Sequence, residues 1–477
     1  MSNRSNGSSR SARSRQGRLR APMVSVFVAA GLIIAGLIVI AVRYKMNDDE
    51  ENIVVVSESG VDLDVSSSDD ENSSIDDTPS IIYIDNNPVG TQSSLVPKGP
   101  AVSVRGMYID PWTAGAKDEL PWILEICDSS QINAIVIDIK EDNGSITYLS
   151  DNERLSDVCI NVLSDIDELM EQLKEHGIYT IARLVCFKDP KRAILNPELA
   201  ISNARGEIWY DNSGVAWLDP YNKDAWEYIA VIAKEAARIG FDEVQLDYVR
   251  FPTEGNLSQI DYGSIAEEKT KAMVISEFIS YIREELGGTS ARLSADVFGI
   301  IAVGKGDFEG IGQDLELMWD VVDAVSPMIY PSHFSNVNQN GIGQVINGIL
   351  FPRPDLNPYG VVYNILLMTK ERLPEDEGDY AVVRPYLQAF TASYLGSGNY
   401  QVYGASQVME QINAVYDAGF DEWILWNHSG RYEVYRSLAS LLVEVEVDDV
   451  EVEFEVDDFG VDDIDELVEQ ERDTAVE

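Results

Sequence analysis

Histidine and cysteine are both scarce, with three of each in 477 residues. His176, His333 and His428 never fall at zinc-helix spacing, so a histidine-rich metal centre or a Ser-His-Asp triad has little to be built from. Cys127, Cys159 and Cys186 form no C-x-x-C or metal-type spacing and are expected as buried free thiols, with one disulfide left open. No G-x-S-x-G elbow and no phosphate-cradling Walker loop occurs; "GKGDFEG" at 304–310 is too loose a glycine pattern to count. Neither a metal nor a cofactor is therefore expected. Positive charge is also in deficit, 35 Lys and Arg against 82 Asp and Glu, a formal net charge of −47. Such a balance argues against nucleic acid or an anionic membrane surface as the main partner.

The charge is unevenly spread, and its distribution divides the chain. Six arginines between Arg4 and Arg20 precede "APMVSVFVAAGLIIAGLIVIAV", an uncharged run at 21–42. A helix of about 22 apolar residues matches the bilayer core and is longer than a signal-peptide core of about 7–15. Residues 1–20 are expected as a cytoplasmic basic segment and 21–42 as a signal anchor. The positive-inside rule then places everything after Val42 outside the membrane. Residues 43–98 are rich in Asp and Ser and poor in core formers, which predicts a disordered acidic linker. Residues 444–477 alternate Val with acids; lateral pairing would crowd carboxylates, so disorder is expected over a strand.

Between 99 and 443 strand-like runs alternate with helix-like ones. The strand candidates are "VRGMYID", "AIVIDIK", "IYTIARLVCF", "FDEVQLDYVRF", "RLSADVFGI", "DAVSPMIY", "VVRPYLQAF" and "DEWILWN". Amphipathic helices lie between most of them, and several end at a glycine, as at Gly177, Gly240 and Gly419. Eight βα units over about 345 residues predict a (β/α)8 TIM barrel, with extra length after the third strand and between the sixth and seventh.

In such a barrel the chemistry gathers at the C-terminal ends of the strands. "FDEVQLDYVRFP" carries Gln245, Asp247 and Arg250 where a buried strand should be apolar, and alternation puts Asp247 at the mouth. Asp296 ends the neighbouring fifth strand. Two carboxyl groups at adjacent strand ends suit glycoside hydrolysis, in which one protonates the leaving oxygen and the other attacks or activates water. Asp247 and Asp296 are the candidate catalytic pair. Asp138, Lys140 and Glu141 from strand two, Arg183 from strand three and Arg250 could hold sugar hydroxyls or tune an acid. Tyr108, Trp112, Tyr330 and Trp426 could offer apolar faces to a ring, and His333, Gln388 and Asn427 complete the candidate substrate-binding set. Structural alternatives stand beside these: Asp247 as an ion-pair partner of Arg250 or Arg183, Asp296 as a helix cap, and Asp110, before Pro111, as a turn-setter.

The same eight segments in the same order, above all "QLDYVRFP" and "PMIYPSHF", resemble a bacterial family of glycosyl hydrolase domains built on TIM barrels and grouped with the glycosidases. The resemblance covers most of 101–436 and implies a barrel of glycosidase ancestry; it supplies no catalytic pair. With the anchor placing the barrel outside the membrane, the expected function is an extracytoplasmic glycoside hydrolase on a cell-wall or environmental glycan. The alternative is a barrel that binds glycan or organises the envelope without turnover, and a polysaccharide deacetylase is poorer because histidine ligands are scarce.

Overall fold

The computed structural model describes residues 102–307, 310–374, 380–428 and 432–442. The basic segment, the anchor at 21–42, the linker and the acidic tail lie outside the described residues. Among the described residues no helix is long and apolar enough to cross a membrane.

Eight parallel strands close on themselves: β1 Arg105–Ile109, β2 Ala134–Lys140, β3 Tyr179–Val185, β4 Glu243–Asp247, β5 Arg292–Phe298, β6 Ala324–Ile329, β7 Tyr386–Gln388 and β8 Trp423–Trp426. Closure is made by β8 beside β1, with Gly106 opposite Ile424. The order follows the chain, as short right-handed βα crossovers require. Seven helices cover the outside: α1 Leu120–Ser129, α2 Ile166–Glu175, α3 Lys223–Ile239, α4 Lys271–Glu285, α5 Pro358–Lys370, α6 Ala405–Asp417 and α7 Glu433–Ala439. This is the arrangement of a (β/α)8 barrel.

Local chemistry explains the elements. All seven residues of β2, "AIVIDIK", are buried, because a parallel strand covered on both faces has no solvent side. α3 starts where Asn222 accepts a hydrogen bond from the Asp224 N–H and stops at Gly240, whose φ of 110° is left-handed. β4 begins three residues later.

Three details depart from the simple strand–helix rhythm. The run "VVRPYLQ" is two pieces, since Val382–Val383 and Tyr386–Gln388 both pair with β6, and Pro385, which has no N–H to donate, lies between them. After β5 the chain makes 3-10 turns at Gly299–Ala302 and Leu315–Leu317 in place of a long helix. In β2 the pairing with β3 shifts register between Asp138 and Lys140.

Two apolar groups form the core. The larger lies between strands and helices; the smaller fills the barrel itself with Tyr108, Val136, Ile181, Tyr330, Tyr386 and Ile424 among others. Inside that barrel β4 contributes polar residues at every level. Glu243 at the base pairs with Arg384 at 2.8 Å and accepts from Ser294 Oγ and Tyr179 Oη. Gln245 above it accepts from Tyr386 Oη at 2.5 Å and donates to Ser326 Oγ. Asp247 is the uppermost.

Candidate active site at the C-terminal mouth of the barrel

Arg183 is the centre of the mouth. Its Nη1 donates to Asp138 Oδ1 at 2.6 Å, and its Nε donates to Asp247 Oδ2 at 2.9 Å, with Nη2 on the same oxygen. Tyr108 Oη donates to the other Asp138 oxygen at 2.8 Å. Burial pushes the Asp138 carboxyl up against the opposing pull of Arg183. The Arg183 guanidinium lies 5.1 Å from the Trp426 ring centre, and the Trp426 and Tyr108 rings pack 4.1 Å apart, tilted by 33°. Tyr108, Asp138, Arg183, Asp247 and Trp426 thus form one continuous surface from β1, β2, β3, β4 and β8. Arg183, rather than Arg250, is the ion-pair partner of Asp247.

Asp247 is held at both oxygens. Its Oδ1 accepts the Tyr248 backbone N–H at 2.5 Å, and Tyr248 has a φ of 47°. A bulky residue in the left-handed region is strained by roughly 1–3 kcal/mol and persists where surrounding contacts hold it. Alternation along "QLDYVRF" therefore ends at Asp247, and the chain turns sharply away.

Asp296 has the opposite environment. Leu246 pairs with Ala295, so the next residues, Asp247 and Asp296, stand side by side on neighbouring strands. Asp296 is 1% exposed and its Oδ1 has no hydrogen-bond partner. Burial first, and the Asp247 charge second, push its carboxyl well above the ordinary 3.8. Its site favours the neutral form of the acid, beside an aspartate that is ion-paired with an arginine. Gln313 fixes this strand end, donating to the Asp296 carbonyl at 3.1 Å and accepting the Phe298 N–H at 3.0 Å. Tyr330 and Tyr386 are buried nearby, and burial pushes both phenols well above their ordinary value.

The other candidate residues are placed as follows. Trp112 is 64% exposed on a one-turn helix after β1, whose cap is Asp110. Glu141 is partly exposed just past β2 and accepts from Asn143 Nδ2. His333 is exposed beyond β6, with its ring edge-on to Tyr330 at 4.9 Å. Asn427 is buried immediately after β8. Lys140 and Gln388 are engaged in the fold. Past the register shift Lys140 turns to a sealed pair with Asp189 at 3.0 Å and donates to the Val185 carbonyl. Gln388 donates to Asp355 Oδ1 and the Phe390 carbonyl and accepts from the Ser332 N–H.

Arg250 lies in a cage of Trp217, Tyr248 and Phe298. Sequence reading did not pick out these rings or Gln313. Trp217 and Gln313 come from loops, and only the folded contacts bring them to the strand ends. None of the groups of His, Cys, Asp and Glu among the described residues is arranged to hold a metal ion.

A comparison with curated proteins finds no match. Among solved structures, a hypothetical protein from Ruminiclostridium thermocellum is 38% identical over 39% of this chain and 96% of its own, with a TM-score of 0.37. The glycoside hydrolase domain of PgaB (BpsB) from Bordetella bronchiseptica is 14% identical, covers 72% of this chain and 99% of its own, and superposes with a TM-score of 0.51, a likeness of fold. The spore cortex-lytic enzyme SleL from Bacillus cereus is 11% identical over 73% of this chain and 76% of its own, with a TM-score of 0.41. Residues 106–432, which hold the eight strands except Arg105 of β1 and every group described at the mouth, match the family described as "Putative glycosyl hydrolase domain", and the chain belongs to that family.

Proposed function

We propose that this protein is a glycoside hydrolase that uses Asp247 and Asp296, tethered to the membrane by residues 21–42 and acting on a glycan outside it. The observation that carries this reading is the contrast between two adjacent carboxyl groups. Asp247 is ion-paired with Arg183; Asp296 has an unpartnered oxygen in a site that favours its neutral form. Glycosidic cleavage needs that division of roles. Asp296 gives its proton to the departing glycosidic oxygen while Asp247 attacks the anomeric carbon or takes a proton from the attacking water. Arg183 then orients Asp247, and Trp112 and Trp426 offer faces for sugar rings.

The test is hydrolysis of α- and β-aryl glycosides and of wall polysaccharides by the full chain. Asp247→Asn is expected to lower kcat by ~10³-fold or more, and Asp296→Asn to do so most for poor leaving groups. Unchanged rates in Asp247→Asn would remove that residue from the mechanism. Protease digestion of the barrel from outside intact cells, but not from inside, is the expected topology result.

A second reading, a barrel that binds glycan without turnover, is favoured by one observation: both oxygens of Asp247 are engaged in internal hydrogen bonds. It predicts glycan binding that survives Asp247→Asn with no hydrolysis in either form.

A further inference from the structure

Four arginines of the barrel are deeply buried: Arg183, Arg192, Arg250 and Arg384. Arg183 pairs with Asp138 and Asp247, Arg192 with Asp157, and Arg384 with Glu243 and Glu422. Arg250 has no carboxylate in ion-pair contact among the described residues. Burying a cation without a counter-ion is costly, and burial lowers its affinity for its own proton. A charge kept at such a cost calls for a use.

The surroundings indicate what that use is. Arg250 is 6% exposed, and its guanidinium carbon lies 4.4 Å from the Phe298 ring centre, 5.0 Å from Tyr248 and 5.1 Å from Trp217. The three rings hold the guanidinium plane but neutralise nothing. Its one hydrogen bond runs from Nη1 to the Phe251 carbonyl at 2.9 Å. Nε–H and Nη2–H, the parallel edge that takes a carboxylate two-pronged, have no protein partner and are not among the sealed orphan atoms. The nearby acids are committed elsewhere. Asp247 is held by Arg183 and its own strand end, while Asp211 accepts from the Ser213 and Val215 N–H groups and from Trp217 Nε1. Glu254 is half-buried in the following loop with no ion-pair contact to Arg250.

The cage shares its walls with the candidate catalytic pair. Tyr248 follows Asp247 directly, and Phe298 is two residues past Asp296 on the same face of β5, a step of about 6.6 Å. A group bound by Arg250 would belong to a sugar at or next to the cleaved bond.

We propose that Arg250 recognises a carboxylate carried by the substrate, so that the glycan is an acidic one, with a uronic acid or an ether-linked acid on the ring seated at the mouth. This rests on the glycan reading above. Arg250 is then a specificity residue, and its uncompensated charge in the free protein is completed by the ligand.

The experiment is calorimetric titration of the full chain carrying Asp296→Asn, which blocks turnover while keeping a neutral side chain. The probes are galacturonate and glucuronate oligosaccharides, the same chains with carboxyl groups reduced to alcohols, and N-acetylmuramyl-containing chains. Binding of either carboxylated class at least about 10-fold tighter than its reduced or acid-free counterpart is expected. Arg250→Met should abolish that preference and Arg250→Lys keep part of it, each variant shown to be folded by its thermal melt. Should Arg250→Met fail to fold, the melting temperature of the unaltered chain must rise with carboxylated chains and not with reduced ones. Equal affinity for both forms, or a preference that survives Arg250→Met, overturns the proposal. So does a matched loss of stability in Arg250→Met and Glu254→Gln without any effect on binding, which would make the two residues a structural pair. Hydrolysis of neutral glycans with no acid preference would overturn this inference and leave the hydrolase reading standing. Arg250-dependent binding of acidic chains without turnover would do the reverse.

Discussion

Arg183 holds two buried carboxylates at once, which makes it the residue whose loss should be felt most at the mouth. Arg183→Met would leave Asp138 and Asp247 buried without a counter-charge, and removal of one partner from a buried pair costs about 3–5 kcal/mol. Urea unfolding should show a loss of that size, with Arg183→Lys intermediate because an ammonium cannot reproduce the planar fork. Asp296 predicts a pH effect of definite sign. Its folded-state pKa is raised, so between its unfolded value near 3.8 and that raised value the native protein holds a proton that the unfolded chain has released. Its contribution to stability therefore falls as pH rises from about 4. Asp296→Asn has no such proton, and its stability relative to the parent should climb toward neutral pH by up to about 1.4 kcal/mol per pH unit. Parallel pH–stability curves for the two proteins would show that Asp296 is not held neutral. Of this chemistry, the strand-end acids were legible in the sequence, because Asp247 and Asp296 interrupt apolar runs at the position where alternation points them inward. Their partners were not. Pairing of Asp247 with Arg183, and not with the nearer Arg250 of its own motif, depends on the β3–β4 register, and Lys140 was read with Asp138 because a register shift leaves no mark in composition.

Element boundaries show the same division between local and distant causes. The stop of α3 is local: Gly240 adopts φ 110°, and its N–H returns to the Ala236 carbonyl. Gly240→Ala should cost about 1 kcal/mol through backbone strain alone, since nothing else lies near the added methyl group. Gly299 answers to a distant cause. A Cβ there would stand 2.5 Å from the Met328 carbonyl oxygen on the neighbouring strand, so one of the two strand ends must move. Because Phe298 and Asp296 precede it on β5, Gly299→Ala should lower kcat as well as stability, whereas Gly240→Ala should change stability with kcat intact. Eight strands and their glycine stops could be read from periodicity and punctuation, which are properties of short windows. Division of the seventh strand has a local signal in Pro385, which cannot donate to the ladder; replacement of a helix by 3-10 turns after β5 has none, since it answers to how β6 and the barrel wall sit beside it.

A barrel must close, and closure involves α7 as much as the last strand. Tyr432 Oη donates to Asp110 Oδ2 at 2.6 Å and accepts the Asp110 N–H, tying the start of α7 to the turn after β1. Tyr435 is fully buried and donates to the Leu425 carbonyl of β8, while the Leu442 carbonyl accepts the Gln131 N–H between α1 and β2. These bonds and the burial of Tyr435, Leu438 and Leu442 fasten the first and eighth βα units together; each such side chain contributes about 1.5–3 kcal/mol on burial. These contacts make residues 432–442 part of the folding unit. A fragment spanning 97–443 is expected to melt at the temperature of the full chain, because none of the described contacts is lost. A fragment ending at 431 removes all of them and should melt well below it, by several kcal/mol in stability, with the loss appearing as exposure of β1 and α1 to hydrogen exchange. Equal melting of the two fragments would mean that the eight strands close the barrel unaided, and α7 would then be a cover rather than a clasp.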